Sequence, residues 1–116
     1  MAKRTIPNPL ERRHLLEHDL EPARALAIAD AYIAEARSLE AVAFLRKAGA
    51  QDRLEALVQE ALRQGDAFLL REVEQALGRE PDATLWRQLA DAAAAAGKDR
   101  YAAEARRQAE RLSSRA

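Results

Sequence analysis

Two histidines stand four positions apart in the segment His14-Leu15-Leu16-Glu17-His18. On a helix the two imidazoles share a face. The spacing H-x-x-E-H is one in which paired histidines bind zinc while the glutamate serves as general base for hydrolysis. That chemistry also needs a distant third ligand and a much larger fold, and nothing else in the chain supplies them. His14 and His18 therefore remain weak metal-ligand candidates on a solvated helix face, with Leu15 and Leu16 turned inward. No metal site and no cofactor are assigned. Serine is confined to Ser38, Ser113 and Ser114, and the four glycines lie far apart, each at a helix end. The chain thus offers neither a phosphate-cradling loop nor a nucleophile with its base, and no catalysis is expected.

The residue types that recognise other molecules are better represented. Trp86 is the single tryptophan, and Tyr32 and Tyr101 are the two tyrosines. Their rings can pack while a polar edge reaches a groove. With Arg63, Arg71 and Arg87 they form the candidate partner-binding set, Trp86 standing in the apolar pattern of its helix as well. A basic cluster of Arg100, Arg106, Arg107 and Arg111 interleaves with Glu104 and Glu110 at helical spacing, so most of it reads as a self-paired, solvated face. Lys3, Arg4, Arg12 and Arg13 add positive charge near the start of the chain.

Composition bounds these readings. The 116 residues are enough for one domain that buries roughly two-thirds of its unfolded surface. The hydrophobic share is 48%, much of it alanine, and only 4% of residues are aromatic. Helices lined with alanine can approach one another closely. The 19 basic and 19 acidic residues cancel. Residues 49–97 nevertheless carry net −4 and residues 98–116 net +3. That balance argues against a nucleic-acid partner, which would demand a stronger basic bias. With no cysteine there is no disulfide and no thiolate metal site. The segment MAKRTIPNPLERRH has no apolar run behind its basic residues, and no run reaches the ~20 residues of a membrane span. A cytoplasmic protein is expected. Arginine outnumbers lysine 16 to 3, and with the abundant alanine this points to a bacterial genome rich in G and C.

Seven helices follow from the punctuation. Asn8-Pro9 with Glu11 forms a capping box for a first helix over 8–19. Glu21-Pro22 opens a second that runs to about Arg37, with Leu26, Ala29, Ile33 and Ala36 as its stripe. Ser38 caps a third, carrying Leu39, Val42, Phe44 and Leu45 to Gly49. Asp52 opens a fourth with Leu54, Leu57, Val58, Ala61 and Leu62, closed by Gly65. Asp66 caps a fifth with Phe68, Leu69, Val73, Ala76 and Leu77, ended by Gly78. Asp82 or Thr84 opens a sixth through Trp86, Leu89, Ala93 and Ala96 to Gly97. The seventh, from Asp99 to about Leu112, buries Tyr101, Ala102, Ala105, Ala109 and Leu112, and the last four residues fray. No segment alternates with period two, so no strand is expected. The fold class is all-α. Links this short make consecutive helices antiparallel neighbours.

The run Trp86-x2-Leu89-Ala90-x2-Ala93, followed by Gly97, Ala102 and Ala109, resembles the tetratricopeptide repeat, whose signature begins W-x2-L-G-x2-Y and places small residues on its second helix. Leu54-x2-Leu57-Val58-x2-Ala61 with Gly65, and Leu26-x2-Ala29-Asp30-x2-Ile33, echo it. Ala90 and Ala93 replace the family's Gly and Tyr, and Arg106 stands where Phe is usual. The starts are 28 and 32 residues apart, against about 34 in the family. The resemblance implies one domain, 1–116. It would comprise an N-terminal helix and hairpins over 22–49, 52–78 and 82–112, stacked as a short right-handed α-α superhelix. A HEAT-like pair array and a non-repeating bundle remain the alternative arrangements. A tetratricopeptide-like stack implies a scaffold or adaptor that binds a partner protein's peptide or helix on a groove. The alternatives are a self-associating homodimer, for which the Ala-rich sixth helix offers a flat surface, and the metal protein on His14 and His18.

Overall fold

Alternation of apolar stripes with capping residues gives seven α-helices in the computed structural model, which describes residues 6–114; no strand occurs among them. Lys3 and Arg4, and the tail residues Arg115 and Ala116, lie outside the described residues. The helices are α1 (Pro9–Glu17), α2 (Pro22–Ala34), α3 (Ser38–Ala48), α4 (Gln51–Gln64), α5 (Ala67–Ala76), α6 (Ala83–Ala95) and α7 (Asp99–Ser113). None of these is long and apolar enough to cross a membrane. The chain divides into two units, one ending at Leu54 and one beginning at Glu55.

In the first unit, α1 opens on the expected capping box. Asn8 Oδ1 accepts from the Glu11 amide at 2.8 Å, and Glu11 Oε1 accepts from the Asn8 amide at 3.2 Å. Helix α1 contributes no buried residue. Arg12 Nη1 donates to the Glu40 carbonyl at 3.0 Å, and Lys47 Nζ donates to the His18 carbonyl at 2.9 Å.

Helices α2 and α3 pack side by side. The buried stripe of α2 is Ala25, Ile28, Ala29 and Tyr32. The expected stripe of Leu26, Ile33 and Ala36 is rotated off it because α2 is apolar almost all round, so periodicity alone does not select a face. Tyr32 makes the choice, since its ring stacks on Phe44 of α3 at 5.8 Å between centroids. The helix also stops at Ala34, short of Arg37. Ala36 adopts φ 60°, and its amide and that of Arg37 donate back to Ile33 and Tyr32. This left-handed closure normally takes glycine. Arg37, not Ser38, occupies the N-cap of α3, and its guanidinium grips the Glu40 carboxylate with two 2.7 Å bonds. Ala41, Val42, Phe44 and Leu45 are buried while Leu39 is exposed. Gly49 closes α3 in the left-handed conformation. Gln51 then starts α4, one residue ahead of the expected Asp52, and Arg53 forms an ion pair with Asp30.

In the second unit, Leu57, Val58, Ala61 and Leu62 of α4 are buried as their spacing requires. Asp66 and Asp82 cap α5 and α6, accepting from the amides of Leu69 and Leu85 at 3.0 and 2.9 Å. Helix α5 buries Leu69, Leu70, Val73 and Glu74, and ends at Ala76 with Leu77 as its cap. Phe68 is exposed, contrary to the expected stripe. Helices α6 and α7 pack together. Trp86, Leu89, Ala90 and Ala93 are buried on α6, and Ala102, Ala105 and Ala109 on α7. Ala96, expected on the stripe of α6, is its exposed C-cap, and Leu112 is only half-buried. Tyr101 points outward, one helical step off the alanine stripe.

Glu74 is the single buried charged residue among those described, at 1% exposure. Arg79, at the start of the link to α6, donates Nε to Glu74 Oε2 at 2.8 Å and reaches Glu55 with bonds of 2.7 and 3.0 Å. One guanidinium thus ties a carboxylate of α4 to one of α5. The fork of donors matches the carboxylate of Glu55 two to two. These bonds hold the Glu55 carboxyl below its ordinary range and raise the Arg79 guanidinium further.

Candidate interaction grooves

The turn between α4 and α5 lies against α6 because residue 65 is glycine. A β-carbon there would sit 2.9 Å from the Ala93 Cα, and φ is +66°. The approach gathers the last turn of α4, the first turn of α5, the end of α6 and the start of α7 around a groove of about 610 Å3. Phe68 and Tyr101 line it and are 62% and 61% exposed. Arg63 and Lys98 line it too. Lys98 Nζ donates to the Gln64 carbonyl at 3.2 Å, closing the C-terminus of α4. Arg63 is exposed and makes no ion pair or hydrogen bond with another described residue. Asp66 is the groove's carboxylate, and it is engaged in capping α5.

A second groove in the same unit, of about 750 Å3, runs between α5, the link to α6, and the end of α7. Arg71 lies over the Trp86 indole, 4.9 Å from the ring centroid, as a cation on an aromatic face does. Gln75, Arg79, Glu80, Gln108 and Arg111 also line it. Arg111 Nη2 donates to Gln108 Oε1 at 2.7 Å. Gln108 Nε2 and the Arg107 guanidinium both donate to Glu104, which holds that carboxyl below its ordinary range. The basic face of α7 is to this extent self-paired, as its sequence spacing implied.

The six partner-binding candidates are therefore scattered. Arg63 and Tyr101 share the first groove, Arg71 and Trp86 share the second, and Arg87 lines a third, smaller one of about 310 Å3 with Arg106 and Glu110. Arg87 Nη2 also donates to Ser113 Oγ at 2.7 Å. Tyr32 joins none of them. It is 1% exposed, packed on Phe44 and flanked by Arg12 and Arg37 at 5.3 and 5.0 Å, so it is a core residue of the first unit. Trp86 is 3% exposed and offers the second groove little of its ring.

The two histidines do meet. Their ring centroids are 4.2 Å apart, and His18 Nδ1 donates to the His14 carbonyl at 2.8 Å. Both are exposed, and no group of three or more potential metal ligands occurs among the described residues.

Phe68 and Lys98 are the groove residues that sequence reasoning missed. A signal existed for the first. Phe68, Leu69 and Leu70 are consecutive, and residues one step apart on a helix are turned by about 100°, so all three cannot face one core. Tyr101 stands in the same relation to Ala102. No protein-family model, no curated protein and no solved structure matches the chain.

Proposed function

We propose that the chain is a non-catalytic protein–protein interaction module, a scaffold or adaptor that binds a peptide or helix of a partner. The observation that carries this reading is the pair of aromatic rings, Phe68 and Tyr101, held more than half exposed on one groove. Large apolar rings at the rim of a groove are what a partner's side chains bury, and aromatic residues dominate the binding energy of such contacts. The tetratricopeptide-like reading of the α6–α7 pair is supported by the burial of Trp86, Leu89 and the alanines of these two helices, which pack together. A bacterial cytoplasm is the proposed setting.

The test compares the wild-type chain with a Phe68→Ala/Tyr101→Ala variant whose circular dichroism matches it. Both are immobilised, and proteins retained from a lysate of the native host are quantified by mass spectrometry. A partner held by the wild type and lost by the variant is the expected result. Retention that is equal on both, or nothing above background, overturns the reading.

A further inference from the structure

We infer that the Phe68–Tyr101 groove receives an acidic segment of a partner protein, with an apolar side chain against the two rings and flanking carboxylates meeting Arg63 and Lys98. This deepens the interaction-module reading and rests on it. The argument is one of charge complementarity. Two cations line the groove, and its one carboxylate, Asp66, already accepts the Leu69 amide as the cap of α5. Arg63 has no partner among the described residues, although other arginines of the chain, among them Arg37, Arg53, Arg79 and Arg107, are held by carboxylates. A guanidinium left open beside two exposed rings presents the donors that a carboxylate matches in a planar, paired geometry. Lys98 adds a second, compact charge on the same groove, at the C-terminus of α4, where its Nζ donates to the Gln64 carbonyl. A neutral segment would cover the rings but leave the Arg63 guanidinium unanswered and both charges unpaired by a carboxylate, and a basic one would meet like charge, which suppresses wrong partners.

The probe is a short fluorescein-labelled peptide with a Leu-Trp pair between runs of glutamate, read by anisotropy at low and moderate salt. Two controls accompany it: one with lysines in place of the glutamates, one with serines in place of Leu-Trp. The acidic peptide is expected to bind most tightly, and more weakly as salt rises. Phe68→Ala/Tyr101→Ala should lower its affinity roughly tenfold or more, as loss of an aromatic anchor does. Arg63→Glu/Lys98→Glu should reverse the preference towards the lysine peptide. Tyr101→Ser serves as the milder variant, at a position too exposed to unfold the helix. If the lysine peptide binds the wild type as well as the acidic one, and both need Phe68 and Tyr101, the acidic partner is overturned while the groove stands. If no peptide binds, or if binding ignores Phe68 and Tyr101, the groove reading falls with it. Concentration-dependent sedimentation of the unmixed chain, abolished by Phe68→Ala/Tyr101→Ala, would assign the groove to a second copy and also overturn the inference.

Discussion

Replacing Arg79 with alanine should be among the most damaging single changes outside the apolar core. Arg79 is the cation that answers Glu74, whose side chain is 2% exposed, and it also binds Glu55, whose side chain is about half exposed. Breaking a fully buried pair by removing one partner costs about 3–5 kcal/mol, because the remaining charge is left without compensation. The Arg79 head is 45% exposed, so water can partly replace it and the lower end of that range applies. The exposed pair with Glu55 adds about 0.5 kcal/mol. A loss of about 3.5 kcal/mol is expected. With a urea slope of about 1.5 kcal/mol/M, the unfolding midpoint falls by about 2 M.

The companion variant Arg79→Ala/Glu74→Gln separates charge from packing. A neutral amide needs no cation but leaves its own buried polar atoms unpaired, at about 1–3 kcal/mol, so the double variant should recover part of the loss and be more stable than the single one. Urea titration followed by circular dichroism reads both. A single variant that loses less than about 1 kcal/mol would refute the argument, since that is the value of an ordinary exposed contact. So would a double variant no more stable than the single one.

Three further outcomes follow from the geometry. Gly65→Ala combines a disfavoured positive φ with a close approach to Ala93, and should destabilise by about 2–4 kcal/mol in thermal unfolding while weakening any binding at the Phe68–Tyr101 groove. Ala36→Gly relieves a left-handed backbone at a residue with a β-carbon; the relief, less the entropy gained by the unfolded chain, should raise stability by about 0.5 kcal/mol. Glu40 and Glu55 have folded carboxyls held below the ordinary 4.5 by Arg37 and Arg79. Their contribution is complete above pH 4.5 and is lost as pH falls below it, so urea midpoints measured downward from pH 6 should drop first in that window. The drop should be smaller in Glu40→Gln/Glu55→Gln.

What was legible in the sequence was whatever depends on neighbours along the chain. Asn8, Asp66 and Asp82 cap helices because a short polar side chain can reach an amide three residues on, and that needs no tertiary partner. The α4 stripe of Leu54, Leu57, Val58, Ala61 and Leu62 was legible because polar residues separate its members and select one face. The α2 stripe was not, since Leu26, Ile28 and Ile33 leave the faces nearly equivalent until Phe44 arrives from α3. The end of α2 was hidden because alanine rather than glycine adopts the positive φ at residue 36. The groove itself was half visible. Arg63 and Tyr101 could be named from residue type, but Phe68 was placed inside beside Leu69, where the buried neighbour is Leu70, which the stripe left out. That Gly65 lets the α4–α5 turn lie against Ala93 of α6 is a contact across nearly thirty residues, which no local rule encodes.

Helix α1 is held to its unit by the Arg12 and Lys47 hydrogen bonds and by the half-buried Leu15 and Leu16, with no fully buried residue. None of its residues is fully buried, so its opening free energy sits below that of the α2–α3 pair, which carries the buried stripe. Amides of residues 9–17 should exchange with solvent before those of α2 and α3, and a protease should cut there before it cuts those two helices. Each such opening lifts the Arg12 guanidinium from the faces of Tyr32 and Phe44, making the aromatic heart of that unit intermittently accessible while the rest of the unit stays folded.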